Sequence, residues 1–266
     1  MATLLLKKSY RHKDLKEIPF KDLWSSYGIF TTMRVVGKPL KIILFKNHID
    51  NLIKSLKIYK IYKKDLKKKI LHIINLNLNK NKKYDHLLRI ASNKKMISIS
   101  LRKRLKPKRN FNLHLINYKR IEPEYKNLMY KKILGILKKL DTTKNDIALY
   151  KDKKLLESGT SNLLFAKNNK IYTPVNGFYK GNTFNFIKKK IKIYKKNIYL
   201  DSLDQYDEII LLGSGKGITS VSGIKNNKWT RKSFKSFKIL NNFYQKAVTK
   251  CPRYYSWSIN LTILQI

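Results

Sequence analysis

The sequence predicts a two-domain chain of mixed class, with an N-terminal α+β domain over residues 1–120 and a C-terminal α/β domain over residues 121–266. Three observations predict it. The chain has 266 residues, enough for one large core or two modest ones. Its apolar residues, 42% of the total, fall into short clusters with both strand and helix spacing. The patterning also breaks at 119–125, where Pro123 disfavours helix just before it.

The elements follow in order. "YGIFTTMRVVGKPLKIILF" (27–45) alternates and is β-rich, with Gly37-Lys38-Pro39 as a turn between two strands. "HIDNLIKSLKIYKI" (48–61) has apolar residues at 49, 52, 53, 56 and 58, one face of a helix. "KKDLKKKILHIINLNL" (63–78) reads as a second helix with a wet lysine face. Strands are expected at 86–92, 96–105 and 111–118, giving the N-terminal domain a mostly antiparallel sheet. The stretch after Lys126 carries apolar residues at 128, 129, 133, 134, 136, 137 and 140 and reads as a helix. Strands recur at 146–151, 161–166 and 170–173, with a helix at 182–194. A buried strand, a glycine turn and a short strand then occupy 206–224, and a late helix 234–248. No internal repeat is visible.

The formal net charge is +44, from 60 Lys and Arg against 16 Asp and Glu. Such a charge suggests a polyanion binder. Nine of the basic residues are Arg and 51 are Lys, while Asn, Ile and Tyr are abundant and Gly and Pro scarce. A coding bias toward A and T produces that whole pattern. Selection for nucleic acid would favour Arg, whose planar fork reads guanine and phosphate. The charge is therefore read as compositional, and no helix-turn-helix, RNP-like or zinc motif accompanies it. A non-enzymatic nucleic-acid binder remains the alternative of another class.

Cys251 is the only cysteine, so no intrachain disulfide or cysteine-based zinc site is possible, and a reducing compartment is the default. No metal is expected. The N-terminal three-Leu run is too short for a signal h-region and precedes its charge. No apolar run approaches membrane-spanning length. The expected location is cytoplasmic.

Three segments have the make-up of an anion and cofactor site. "GSGKGITS" (213–220) spaces Gly213, Gly215 and Gly217 so that backbone amides can converge on an anion. It lacks GxGxxG spacing and no helix pattern follows it, so a plain β-turn stays open. "YKGNTFNF" (179–186) sets Asn182 or Thr183 to cap a helix, and the same geometry offers amides to a phosphate. "LLESGTSNLLFAKNNKIYTP" (155–174) places a rare acid, Glu157, before a run of small polar residues; a solvated turn is the bland alternative.

Taken in order, these segments resemble the class IV aminotransferase family, the pyridoxal-phosphate enzymes of fold type IV. Its relatives include branched-chain and D-amino-acid aminotransferases and aminodeoxychorismate lyase. The resemblance runs from about residue 27 to 224. "GIFTTMRV" resembles the family's GxFxTxRV strand, and "HIDNLIKSLKIY" its His-x-x-Arg-Leu helix. "YKNLMYKKIL" resembles the segment bearing the Schiff-base lysine, and "ESGTSNLLF" with the later "TP" its E-x-x-x-S-N segment. "GNT" and "LLGSGKGITSV" resemble its two phosphate turns. The Glu-Ser-Asn-Thr-Pro segment is the most specific.

The resemblance implies a two-domain fold-type IV enzyme whose C-terminal domain is barrel-like. It maps Lys126, 31 positions before Glu157, to the covalent anchor of pyridoxal 5'-phosphate and to the base that moves the substrate's α-proton. It implies that Glu157 faces the pyridine nitrogen, and that Gly181, Asn182, Thr183, Gly213 and Ser214 hold the phosphate. Tyr130 is placed near the phenolic oxygen, with its register offset. Arg89 is the candidate for a substrate carboxylate, or else a sheet residue with an exposed head. Two positions depart from the pattern: Asn51 and Phe184 stand where the family has arginine, which leaves the phosphate to amides and a lysine such as Lys54 or Lys180. The implied reaction is amino transfer between a branched-chain-like or D-amino acid and a 2-oxo acid, by a homodimer. The alternative is a lyase releasing pyruvate and 4-aminobenzoate from aminodeoxychorismate. "FTTMRV" and the Lys-x-Leu spacing sit nearer the lyase, whereas "RIASNKKMISIS" lacks its Gly- and Arg-rich loop.

Overall fold

The computed structural model describes residues 4–79 and 81–254. They form two compact units of mixed α+β class. The first holds the described residues up to Arg104, the short segment Lys126–Leu128 and the described residues from Ala247 onward. The second holds Leu105–Tyr125 and Met129–Lys246.

In the first unit the chain runs β1 (Leu4–Arg11), β2 (Glu17–Ile18), β3 (Gly28–Gly37), β4 (Lys41–Ile42), α1 (Phe45–Ile58), α2 (Leu66–Asn77), β5 (Tyr84–Asn93) and β6 (Met96–Lys103). The strands form one antiparallel sheet in the order β2-β1-β6-β5-β3-β4. Alternation fixes its two faces. Met33, Val35, Leu88, Ile90, Ile97 and Ile99 are fully buried on the face against which α1 and α2 pack. Each such side chain contributes about 1.5–3 kcal/mol by leaving water. The intervening positions are more polar: Thr32 lies opposite Arg89, and Arg89 opposite Ser100.

The second unit runs β7 (Asn112–Asn117), α3 (Lys131–Lys138), β8 (Asn145–Lys151), β9 (Lys154–Ser158), β10 (Asn162–Lys167), β11 (Lys170–Thr173), α4 (Asn182–Lys188), β12 (Ile193–Lys195), β13 (Glu208–Gly213), β14 (Gly217–Ser220) and β15 (Gly223–Ile224). It also holds most of α5 (Lys235–Thr249). Two sheets result, ordered β15-β7-β8-β9 and β12-β11-β10-β13-β14. Phe111, Leu155, Phe165, Tyr206 and Trp229 belong to their core, and the Trp229 indole donates to the Tyr206 carbonyl at 2.9 Å.

Among the departures from expectation, two concern elements that were expected but pair or end differently. The strand at 111–118, read with the N-terminal sheet, is β7 and pairs in parallel with β8. Parallel pairing needs a crossover, which the stretch containing α3 supplies. The helix expected over 182–194 ends at Lys188. Beyond it "IKIYK" alternates, and Ile193–Lys195 adds to β11 in parallel. A period of two overrides the helical spacing once a sheet edge accepts the backbone.

Candidate active site

Lys126 lies in the first unit, in an extended segment rather than in a helix. The Phe30 amide donates to the Lys126 carbonyl, and the Leu128 amide to the Gly28 carbonyl, each at 2.9 Å. Ile29 and Asn127 pair as antiparallel neighbours. Residues 126–128 thus extend the edge of β3. Gly28 makes this possible: a Cβ there would stand 2.4 Å from the Ser92 carbonyl oxygen and 2.7 Å from the Leu128 side chain. The Lys126 ammonium sits 4.7 Å from the Phe30 ring centre, within cation–π range. Nearby, His48 on α1 is buried, its Nδ1 2.7 Å from the Thr31 hydroxyl. Burial holds its pKa down at about 3, and the Lys126 charge pushes the same way. A neutral imidazole therefore lies near the lysine at every physiological pH.

Arg89 is placed in the same unit. Its guanidinium donates to Asp22 at 2.6 Å and lies over the Trp24 ring, 4.4 Å from its centre. Asn51 is half-buried on α1, and Lys54 is exposed there.

Glu157 lies in the second unit, at the end of β9, and is buried. It faces a guanidinium that sequence reasoning missed. Arg120, in the loop after β7, donates from Nε to one carboxylate oxygen at 2.5 Å and from a terminal nitrogen to the other at 3.1 Å. The Tyr179 amide adds a third donor at 3.3 Å. Arg120 is itself buried and also donates to the Pro123 and Tyr125 carbonyls, at 2.7 and 3.1 Å. Burial works against its charge, but the Glu157 carboxylate outweighs this and holds Arg120 above its ordinary pKa. The Tyr130 ring stacks beneath the guanidinium at 5.5 Å. The Tyr130 hydroxyl proton is given to the Gly159 carbonyl, and burial pushes that phenol well above its usual range. The available signal was rarity: an arginine six places before Lys126, in a chain with nine.

The loop after Glu157 meets two others within this unit. Asn162 donates to the Tyr179 carbonyl at 2.5 Å and accepts from the Gly181 amide at 3.1 Å, so one side chain holds the turn at 179–181. On either side of that link lie two buried hydroxyls, of Ser161 and Thr183, with no hydrogen-bond partner. Gly213, at the end of β13, closes against the first: a Cβ there would stand 2.6 Å from the Ser161 oxygen. Ser214 and Gly215 form the turn into β14 and are half-buried. Asn182 is buried. Phe184 is a core residue packed edge-on against Phe178 at 5.8 Å, and Lys180 is exposed.

An unpartnered buried hydroxyl costs about 1–3 kcal/mol. Two of them flanking one turn, with a glycine close against the Ser161 hydroxyl, suit a ligand rich in acceptor oxygens such as a phosphate. The residues present therefore fit the phosphate end of pyridoxal phosphate. Among the described residues no group of three or more His, Cys, Asp or Glu could hold a metal ion. No described helix is long and apolar enough to cross a membrane.

Comparison with known proteins points the same way. The family model described as amino-transferase class IV matches residues 28–224. No curated protein matches the sequence. Among solved structures, the fold resembles a branched-chain aminotransferase of the archaeon Thermoproteus uzoniensis, solved with norvaline, with a TM-score of 0.73 at 17% identity over 94% of this chain and 97% of that one. It also resembles a protein assigned as a 4-amino-4-deoxychorismate lyase from Legionella pneumophila, with a TM-score of 0.67 at 18% identity over 83% and 91%. A third is an aminotransferase from Brucella abortus bound to pyridoxal phosphate, with a TM-score of 0.69 at 13% identity over 90% and 98%.

Proposed function

This chain belongs to the amino-transferase class IV family, and from that membership we propose that it is a pyridoxal-phosphate transaminase of an amino acid and a 2-oxo acid. The observation that carries the reading is the pair of unpartnered buried hydroxyls, Ser161 and Thr183, on either side of the Asn162–Gly181 hydrogen bond. When bound, pyridoxal phosphate supplies an electron sink for negative charge at the substrate's α-carbon.

The chain's residues take the following roles in this proposal. Ser161 and Thr183 donate to the phosphate, together with Gly181, Asn182, Gly213 and Ser214. Glu157 holds a proton at the ring nitrogen, and Arg120 fixes the orientation of its carboxylate by the bidentate contact. Lys126 is the covalent anchor and, as a free amine, moves the proton at the α-carbon. Arg89 takes a substrate carboxylate; it already grips one, that of Asp22, which is half exposed. Tyr130 serves the Glu157 loop through Gly159, so its hydroxyl proton is committed there. A homodimer is part of the same proposal.

The test is spectroscopic first. Protein reconstituted with pyridoxal phosphate should show a near-ultraviolet or visible absorbance band that borohydride removes and that Lys126→Ala lacks. Absence of any such band in the wild type sinks the reading. A panel of amino acids followed for loss of that band, beside pyruvate release from aminodeoxychorismate, then separates amino transfer from elimination. A band that no amine changes would mark a cofactor binder without turnover.

A further inference from the structure

One carboxylate oxygen in the second unit gathers side chains from two loops. Asp146, on β8, is fully buried. Its Oδ1 accepts from the Ile147 amide at 2.8 Å. Its Oδ2 accepts from the Ser158 hydroxyl at 3.1 Å and the Thr160 hydroxyl at 2.8 Å. The same Oδ2 lies 3.1 Å from the Lys216 ammonium, whose side chain is only 10% exposed. That ammonium also donates to the Thr160 hydroxyl at 2.6 Å. Lys216 comes from the glycine turn between β13 and β14, whereas Ser158 and Thr160 come from the loop that follows Glu157.

The middle of the loop is held separately: the Gly159 amide donates to the Ile147 carbonyl at 2.9 Å, and the Tyr130 hydroxyl donates to the Gly159 carbonyl. The Ser158 hydroxyl accepts from the Thr160 and Ser161 amides, at 3.3 and 2.8 Å, and the Ser158 amide donates to the Ser161 carbonyl at 3.0 Å. The hydroxyls of Ser158 and Thr160, on either side of Gly159, both rest on Asp146. Ser161, whose hydroxyl has no partner, is the last residue of that turn and touches Gly213 of the other. The β10–β13 ladder, with Asn162 opposite Leu212, brings the two turns side by side, and the contacts among Asp146, Lys216 and Thr160 tie them together one residue before the unpartnered hydroxyl.

We propose that Lys216 and Asp146 form a latch that holds the loop at 158–161 against the glycine turn at 213–217 and thereby builds the binding site for the cofactor's phosphate group. The inference rests on the cofactor reading above. Lys216 is a positioning residue in this role, acting through Asp146 and Thr160 on Ser161.

The experiment compares affinity for pyridoxal 5'-phosphate with affinity for pyridoxal, which lacks the phosphate, by fluorescence titration. It uses the wild type, Lys216→Met, Lys216→Arg and the double variant Asp146→Asn with Lys216→Met. The double variant removes both charges together, so no carboxylate is left buried alone, and it guards against loss of fold in the single one. In the double variant the affinity for pyridoxal phosphate should fall at least about tenfold while that for pyridoxal changes less than about twofold. Lys216→Arg should retain the preference for the phosphorylated form, and inorganic phosphate should compete in the wild type and in Lys216→Arg but not in the double variant. Parallel loss of both affinities would mean a general structural role and overturn the latch, as would a preference unchanged in a folded double variant. A wild type that binds neither compound would instead sink the cofactor reading itself.

Discussion

At the scale of single residues, Glu157 shows how burial turns a common side chain into a committed one. A buried carboxylate is tolerated when its oxygens are filled, and Arg120 and the Tyr179 amide fill them. Removing one partner strands the other. Arg120→Met should therefore cost about 3–5 kcal/mol of stability, whereas Arg120→Met with Glu157→Gln should recover most of it, both read by urea unfolding. Glu157→Gln alone should still bind the cofactor covalently but lose most turnover; near-normal turnover would remove Glu157 from its role. His48 gives a pH signature. Its ordinary value of 6.5 applies to the unfolded chain, and about 3 to the folded one. Between these values the unfolded state holds the extra proton, so this group's contribution is complete above 6.5 and falls with pH by about 1.4 kcal/mol per unit. A His48→Gln variant should lose that part of the slope in urea midpoints measured from about pH 4.5 to 6.5. Equal slopes in both proteins would exclude His48 as the source.

At the scale of elements, β3 is the scaffold on which Lys126 is hung, and Gly28 is its most constrained position. Gly28→Ala drives a methyl into the Ser92 carbonyl and Leu128, contacts that backbone cannot easily relieve. We expect a loss of about 1–3 kcal/mol together with faster amide exchange at Phe30 and Leu128; unchanged exchange there would contradict the pairing. Much of this element was legible in advance. "GIFTTMRVVG" alternates because helices cover one of its faces, and the Gly-Lys-Pro turn ends it where β3 stops. β9 was not legible, because Lys154–Ser158 is buried at four of its five positions and so shows no alternation. The site divides the same way. Lys126 and Glu157 stood out through ordered motifs. Arg120 lies 37 positions from Glu157, and Asp146 and Lys216 come from two different sheets, so neither contact leaves a local pattern.

At the scale of the whole molecule, the +44 charge is a property of the surface more than of the site. Lys126 and Lys216, the lysines given roles in the proposals above, are partly buried and partnered. Mutual repulsion across such a surface opposes compaction, and salt screens it. The melting temperature should therefore rise by several degrees between about 50 and 500 mM sodium chloride; a flat or falling trend would show that the charges are already balanced locally. Binding to DNA that fades with salt is expected of any such surface and carries no specificity.

The membership of Lys126–Leu128 has a consequence for how the protein is made. These three residues belong to the first unit, yet the chain on either side of them belongs to the second. During synthesis the β3 edge at Gly28 and Phe30 waits unpaired until residue 128 has left the ribosome, well after its own sheet partner β5 has emerged. No single cut divides the gene into two halves that each encode a finished unit. A nascent chain halted near Arg104 leaves that strand edge open for pairing with another chain.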